Sequence, residues 1–136
     1  MSALRYLLDT NICIYIAKQR PPSVAARFAK LAAGSVGMSL ITYGELRYGA
    51  EKSSQRGSTL EKLERLKSII PVITPDAAVG ERYGAIRAHL ERAGTPIGNN
   101  DLWIAAHALS LGVTLISNNL REFERVPKLK LDNWVE

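Results

Sequence analysis

The chain predicts an α/β fold, a parallel sheet covered by helices on both faces, and three observations carry that expectation. Short apolar runs alternate with longer stretches whose apolar residues recur at helical spacing. Gly, Pro, Ser and Asn stand at the junctions between them. At 136 residues the chain is long enough for one domain, spanning 1–136, with a real core, and too short for two.

Residues 5–8 read as a short buried strand, closed by Asp9-Thr10-Asn11 as a turn or cap, with a helix over 12–17. Pro21 and Pro22 punctuate the chain, and Ser23 is placed to cap a helix with Val24, Phe28 and Leu31 on one face, ending near Gly34. A second strand covers 36–40 and a helix 41–50, followed by a polar loop at 53–57. Leu60, Leu63, Leu66, Ile69 and Ile70 then mark an amphipathic helix whose other face carries Glu61, Lys62, Glu64, Arg65 and Lys67. Val72-Ile73 is a brief strand between Pro71 and Pro75. The 76–93 helix repeats Val79, Tyr83, Ile86 and Leu90 before Gly94-Thr95-Pro96 ends it. A nearly apolar helix over 100–111 stops at Gly112, and 113–116 is the last predicted strand. In such folds a ligand crevice lies beyond the carboxyl ends of the strands, where Asp9 and the Ser117-Asn118-Asn119 segment both fall.

Hydrophobic residues at 46% and charged residues at 23% suit a folded globular chain and exclude a disordered or fibrous one. No apolar run approaches the ~20 residues that span a bilayer, and the start lacks a secretory leader pattern, so the expected location is cytoplasmic, with no membrane partner. Cys13 is the only cysteine, which excludes a disulfide framework and reads as a small buried apolar residue. Eighteen Lys and Arg against 13 Asp and Glu leave a net charge of +5. That excess suits a polyanion, although plain solubility also explains it.

Against this positive background, Asp9, Glu45 and Asp101 each sit in an apolar motif, where an ionised carboxylate is costly unless paired or metal-bound. Helical spacing puts Glu45 on a face with Ile41 and Tyr48, away from Arg47 and Lys52, and therefore predicts an inward carboxylate. Asp101 shares its face with Ile104, Ala105 and Ala108 and lies in a first helical turn, where the dipole favours its charge. Each has a structural explanation alone: Asp9 as an N-cap, Glu45 in a buried salt bridge, Asp101 at a helix start. Together they suggest a site for a hard cation, Mg²⁺ or Mn²⁺, and the absence of His-x-x-x-His or Cys-x-x-Cys spacing agrees. Asn11, Asn100 and Asn119 are candidates to orient carboxylates or waters through their amides, and turn or cap duty explains them as well. His89 and His107 are isolated and read as structural.

Three stretches give these residues a family context: Leu-Leu-Asp-Thr-Asn-Ile at 7–12, Tyr-Gly-Glu-Leu at 43–46, and Ile-Gly-Asn-Asn-Asp-Leu-Trp-Ile-Ala-Ala-His-Ala at 97–108. With the ending Leu-Ile-Ser-Asn-Asn-Leu-Arg-Glu-Phe-Glu-Arg-Val-Pro, they resemble PIN-domain ribonucleases, above all VapC-type toxins of bacterial toxin–antitoxin pairs. The resemblance implies a three-layer α/β/α sandwich with a central parallel sheet, and a magnesium-dependent endoribonuclease site with Asp9, Glu45 and Asp101 as principal acids. Many PIN domains carry a fourth acid where this chain has Asn119, and Glu122 lies one turn further on. The resemblance also implies a tRNA substrate, initiator tRNA in the anticodon region being the leading candidate, and a homodimer. A VapB-type antitoxin is the implied partner, with operator DNA reached only through it.

Arg47, Arg82, Arg87, Arg121, Arg125 and Lys128 are candidates to contact RNA phosphates. Two alternatives remain open on the sequence. One is a module that binds RNA without cutting it, favoured by Asn119, with the apolar residues 12–17 and the Phe28 and Leu31 face receiving an antitoxin peptide. The other is a phosphoaspartyl domain using Asp9, which lacks a second Asp at Asn11 and any Gly-rich phosphate loop.

Overall fold

The structure is a computed structural model describing residues 3–135. Its centre is a five-stranded, wholly parallel sheet in the order β3-β2-β1-β4-β5: β1 (Tyr6–Leu8), β2 (Val36–Ser39), β3 (Val72–Ile73), β4 (Thr114–Ile116) and β5 (Leu131–Asp132). Successive strand residues point to opposite faces, so each strand feeds two cores. Leu7 and Leu115 pack among Val79, Ile86 and Leu90 of α5 (Ala77–Arg92) and Ile104, Ala105 and Ala108 of α6 (Asn99–Leu111). Their neighbours Leu8 and Ile116 face the other way, onto Ile12 and Ile16 of α1 (Thr10–Lys18), Val24 of α2 (Pro22–Ala29) and Leu63 and Leu66 of α4 (Arg56–Ile69). The result is the α/β/α sandwich that the sequence predicts.

Chain direction sets where a ligand can sit. From β1 the chain moves to β2 and β3 on one side, then returns to lay β4 and β5 on the other. The connections leaving β1 and β4 therefore diverge, and a crevice opens between them at the carboxyl end of the sheet. The helix α3 (Leu40–Glu51) starts at the same end, directly after β2, with Ser39 capping it through a bond from the Ile41 N–H at 3.2 Å. Buried His107 braces that cap, its Nδ1 lying 2.8 Å from the Ser39 hydroxyl, while burial lowers its pKa and keeps the ring neutral. His107 is structural, as its isolation predicts.

Several expectations are corrected. Ser23 does not cap α2: Pro22 opens that helix at its first position, where its missing N–H costs nothing, and Ser23 lies inside the first turn. That helix also stops at Ala29, leaving Leu31 in the following turn. The loop predicted at 53–57 is shorter, because α4 begins at Arg56. Leu40 leaves strand β2 and becomes the first residue of α3. The apolar face of α1 is not a free groove, since Ile12, Cys13 and Ile16 are buried in the chain's own core, with Phe28 and Leu31 packed partly against it. Two elements escape the periodicity altogether, the helix α7 (Leu120–Phe123) and the two-residue strand β5, each too short to show a period.

Gly37 tests the packing between sheet and edge. A Cβ there would lie 2.9 Å from Ile73 Cγ1 and 3.3 Å from Leu4 Cδ1. Gly37→Ala is expected to destabilise the protein by about 1–3 kcal/mol in denaturant unfolding. Adding Ile73→Ala should return part of that loss, and strict additivity of the two changes would contradict the contact.

Candidate active site at the carboxyl ends of the strands

Asp9 directly follows β1 and is only 6% exposed. It is the N-cap of α1, its Oδ1 accepting the Ile12 N–H at 2.9 Å, and the Asn11 N–H and the Ser117 hydroxyl also reach its carboxylate. Those donors favour the charged form. Burial nevertheless outweighs them and raises the pKa, with the charge of Glu45 adding to the rise. Ser117 comes from the end of the neighbouring strand β4, and its Oγ also accepts the Asn119 N–H at 2.8 Å, so one hydroxyl closes the turn and braces Asp9.

Glu45 projects from the middle of α3 and ties three helices together. One carboxylate oxygen accepts the Thr10 hydroxyl of α1, and the other accepts Asn100 Nδ2 of α6 at 3.2 Å. Its predicted inward face is not core: Tyr48 on that face is 66% exposed, and the face borders the crevice. Spacing places Glu45 with Tyr48 correctly. Lys52, expected away from that face, lies on it, because residues seven apart return to the same side of a helix. Identifying the face as buried requires knowing what packs on it.

Asp101, in the first turn of α6, has its pKa pushed up to about 7. Burial is the largest cause, followed by the hydrogen bond and charge of Glu122, then the charges of Glu45 and Asp9. The helix dipole pulls the other way and loses. Glu122 is itself held by Asn119, whose Nδ2 donates to it at 3.0 Å. Asn119 thus does not leave the site an acid short; it delivers one from the next helical turn.

The fold therefore gathers Asp9, Glu45, Asp101 and Glu122 into one interacting group of acids. Among the described residues, no three Asp, Glu, His or Cys side chains stand close enough together to grip an ion from their present positions. Hydroxyls, side-chain amides and backbone N–H groups hold the carboxylates instead. The donors fit a hard cation in kind, being all oxygen, and in charge, since a cation would offset both the burial and the neighbouring negative charge that raise the pKa of Asp101. To share an ion they must draw together.

The PIN domain family matches residues 6–129 of this chain. The chain belongs to the PIN-domain family. It is similar to "Ribonuclease VapC2" of Haemophilus influenzae, with 46% identity over 97% of this chain and 99% of that one. It is similar as well to "tRNA(fMet)-specific endonuclease VapC" of Shigella flexneri, with 46% identity over 96% of this chain and 98% of the relative. The structure described as DNA-bound VapBC from Salmonella typhimurium shares the fold with a TM-score of 0.90, 41% identity, and coverage of 96% and 98%. Within the family, this PIN domain stands with the VapC-type ribonuclease toxins of toxin–antitoxin pairs.

The other predicted residues of this PIN domain are distributed unevenly. Asn100 and Asn119 reach the acids through their side-chain amides, whereas Asn11 is exposed and contributes its backbone N–H. Arg47 pairs with Glu51 at 2.7 Å, one turn further along α3. Arg87 bonds to Glu91 at 3.0 Å and to the Tyr83 hydroxyl at 2.8 Å. Arg125 donates to the Pro96 carbonyl at 2.8 Å and so braces the turn that leads into α6. Arg82, Arg121 and Lys128 are exposed. Exposed ion pairs hold their partners weakly, so Arg47 and Arg87 remain exchangeable onto phosphate. Thr10 and Ser117 are the site residues that sequence reasoning missed. The one available signal was a hydroxyl residue within two positions of each strand end.

Because Asp101 holds its proton near pH 7 when folded and near its ordinary 3.8 when unfolded, its ionisation opposes folding increasingly as pH rises between those values. In EDTA, Asp101→Asn is expected to raise the melting temperature by several degrees at pH 8 and by less at pH 5. A gain that does not grow with pH contradicts the crowding of the acids.

Proposed function

We propose that this chain is a Mg²⁺-dependent endoribonuclease toxin, with Mn²⁺ as the substitute ion, built as a single PIN domain over its 136 residues. The observation that carries this reading is the acid group itself, in which Asp101 is driven to about 7 beside Glu122, Glu45 and Asp9. Asp9, Glu45 and Asp101 would hold the cation. When bound, magnesium supplies charge neutralisation at the scissile phosphate and makes water a competent nucleophile near neutral pH.

The chain's own residues do the rest. Thr10 and Asn100 aim Glu45, Ser117 and the Ile12 N–H aim Asp9, and Asn119 aims Glu122. Glu122 is the fourth acid of the group, beside Asp101. Arg47, Arg82, Arg87, Arg121, Arg125 and Lys128 are assigned to backbone phosphates, in keeping with the net charge of +5.

The substrate in this reading is tRNA, with initiator tRNA cut in the anticodon region, where unstacked loop bases are open to a shallow site. The printed name of the Shigella flexneri relative supports that choice. A VapB-type antitoxin neutralises the toxin, operator DNA is reached through that antitoxin alone, and the toxin is a homodimer; the Salmonella typhimurium complex supports the pairing. Among the described residues no helix is long and apolar enough to cross a membrane, which accords with cytoplasmic action on RNA. The alternative of a pure RNA binder rested on Asn119, and that argument lapses because Asn119 positions a carboxylate.

The test is incubation of the purified chain with bulk tRNA, with Mg²⁺ or with EDTA, and mapping of the new ends by sequencing. Defined fragments should form only with the metal. Asp9→Asn and Asp101→Asn should slow cleavage by more than the roughly 10- to 100-fold that losing an outer-shell partner costs, and Glu122→Gln should fall within that range. A folded Asp9→Asn protein that cleaves at the wild-type rate would overturn the assignment.

A further inference from the structure

A groove of about 640 Å³ adjoins the acid group and runs along α3, from Glu45 and Asn100 at one end to Tyr48 and Lys52 at the other. Tyr48 lies one helical turn from Glu45, roughly 5 Å along the axis, and Lys52 lies another turn on. The Tyr48 ring is 66% exposed, which is unusual for a large aromatic with no core to serve. Lys52 Nζ lies over one face of the ring, 4.7 Å from its centroid, and holds positive charge there, which leaves the other face for a stacking partner. The floor is Gly44 and Gly49. A Cβ at either glycine would meet nothing within 4 Å, and neither has a positive φ, so the fold itself requires glycine at neither position. Glycine weakens a helix interior, and here it keeps the groove open.

An exposed aromatic face with a cation beside it is the combination that takes a nucleobase by stacking and its phosphate by charge. Two features select RNA over a protein partner: the groove shares Glu45 and Asn100 with the acid group, and the charge at its far end is positive. Accepting the reading of this chain as a ribonuclease, on which the inference rests, we propose that the groove receives the nucleotide flanking the cleaved phosphate. Its base stacks on Tyr48 and its phosphate lies on Lys52, making Tyr48 a specificity-determining residue.

The experiment has two readouts: anisotropy of 3′-fluorescein-labelled bulk tRNA titrated in EDTA, and cleavage kinetics in Mg²⁺, with molar mass followed by light scattering. Tyr48→Ala should weaken binding and raise KM about tenfold, the effect falling on KM rather than kcat. Tyr48→Phe should recover most of that loss, because the ring does the stacking. Lys52→Ala should weaken binding and reduce its salt dependence by about one counterion. Unchanged affinity and KM in Tyr48→Ala overturn the proposal. So does a change in molar mass that tracks the loss, which would make this face a contact between copies of the chain. The two readings fail separately: cleavage indifferent to Tyr48 removes the groove and leaves the nuclease, and Tyr48-dependent binding without cleavage does the reverse.

Discussion

The burial of a group of carboxylates beside one another at the end of a parallel sheet is the constraint to which the rest of this structure answers. Asp9 is almost fully buried, Asp101 half so, and neither has a lysine or arginine as its hydrogen-bond partner. Removing charge from water without a counter-charge is expensive, and the protein limits the cost in three ways. It gives Asp9 main-chain and hydroxyl donors, gives Glu45 a hydroxyl and an amide, and raises the pKa of Asp101 to about 7, so that its charge is partly withdrawn at neutral pH. A cation would offset the same cost more completely. An arrangement that is strained as a structural device is well suited as a receptor for positive charge.

Much of the fold serves to deliver these groups to one place. The parallel order with β1 at its centre makes the connections leaving β1 and β4 part, and Asp9 and Ser117 line the opening. The cap at Ser39, braced by His107 from α6, fixes where α3 begins and hence where Glu45 and Tyr48 emerge. Arg125 holds the turn before α6, whose first residues carry Asn100 and Asp101. Each brace acts at an element's start, where a small rotation would move a carboxylate by ångströms.

The positive charge is arranged on a different principle. Its ion pairs are exposed and formed with carboxylates outside the acid group, as with Arg47 and Glu51 or Arg87 and Glu91. They cost little to break. A polyanion can therefore replace Glu51 or Glu91 at these guanidinium groups while the acids stay in place. The acids are gathered at one place and the cations are exchangeable, which suits a long substrate held loosely along its backbone and acted on at one phosphate.

The sequence by itself determined the fold class, the sheet strands β1 to β4 and three of the four acids, because periodicity and turn chemistry are local and Asp9, Glu45 and Asp101 stand out against apolar neighbours. It also marked Asn100 and Asn119 as possible amide donors. Only the tertiary structure decided what those donors hold, since Asn100 meets Glu45 across 55 residues and Thr10 meets it across 35. Glu122 was marked by the family resemblance and not by periodicity, since it lies on a helix of four residues, and the tertiary structure adds which acid it stands beside. The face of α3 shows the limit most directly. Helical spacing groups Glu45 with Tyr48, but whether that face is core or crevice depends on what packs against it, and no single helix carries that information.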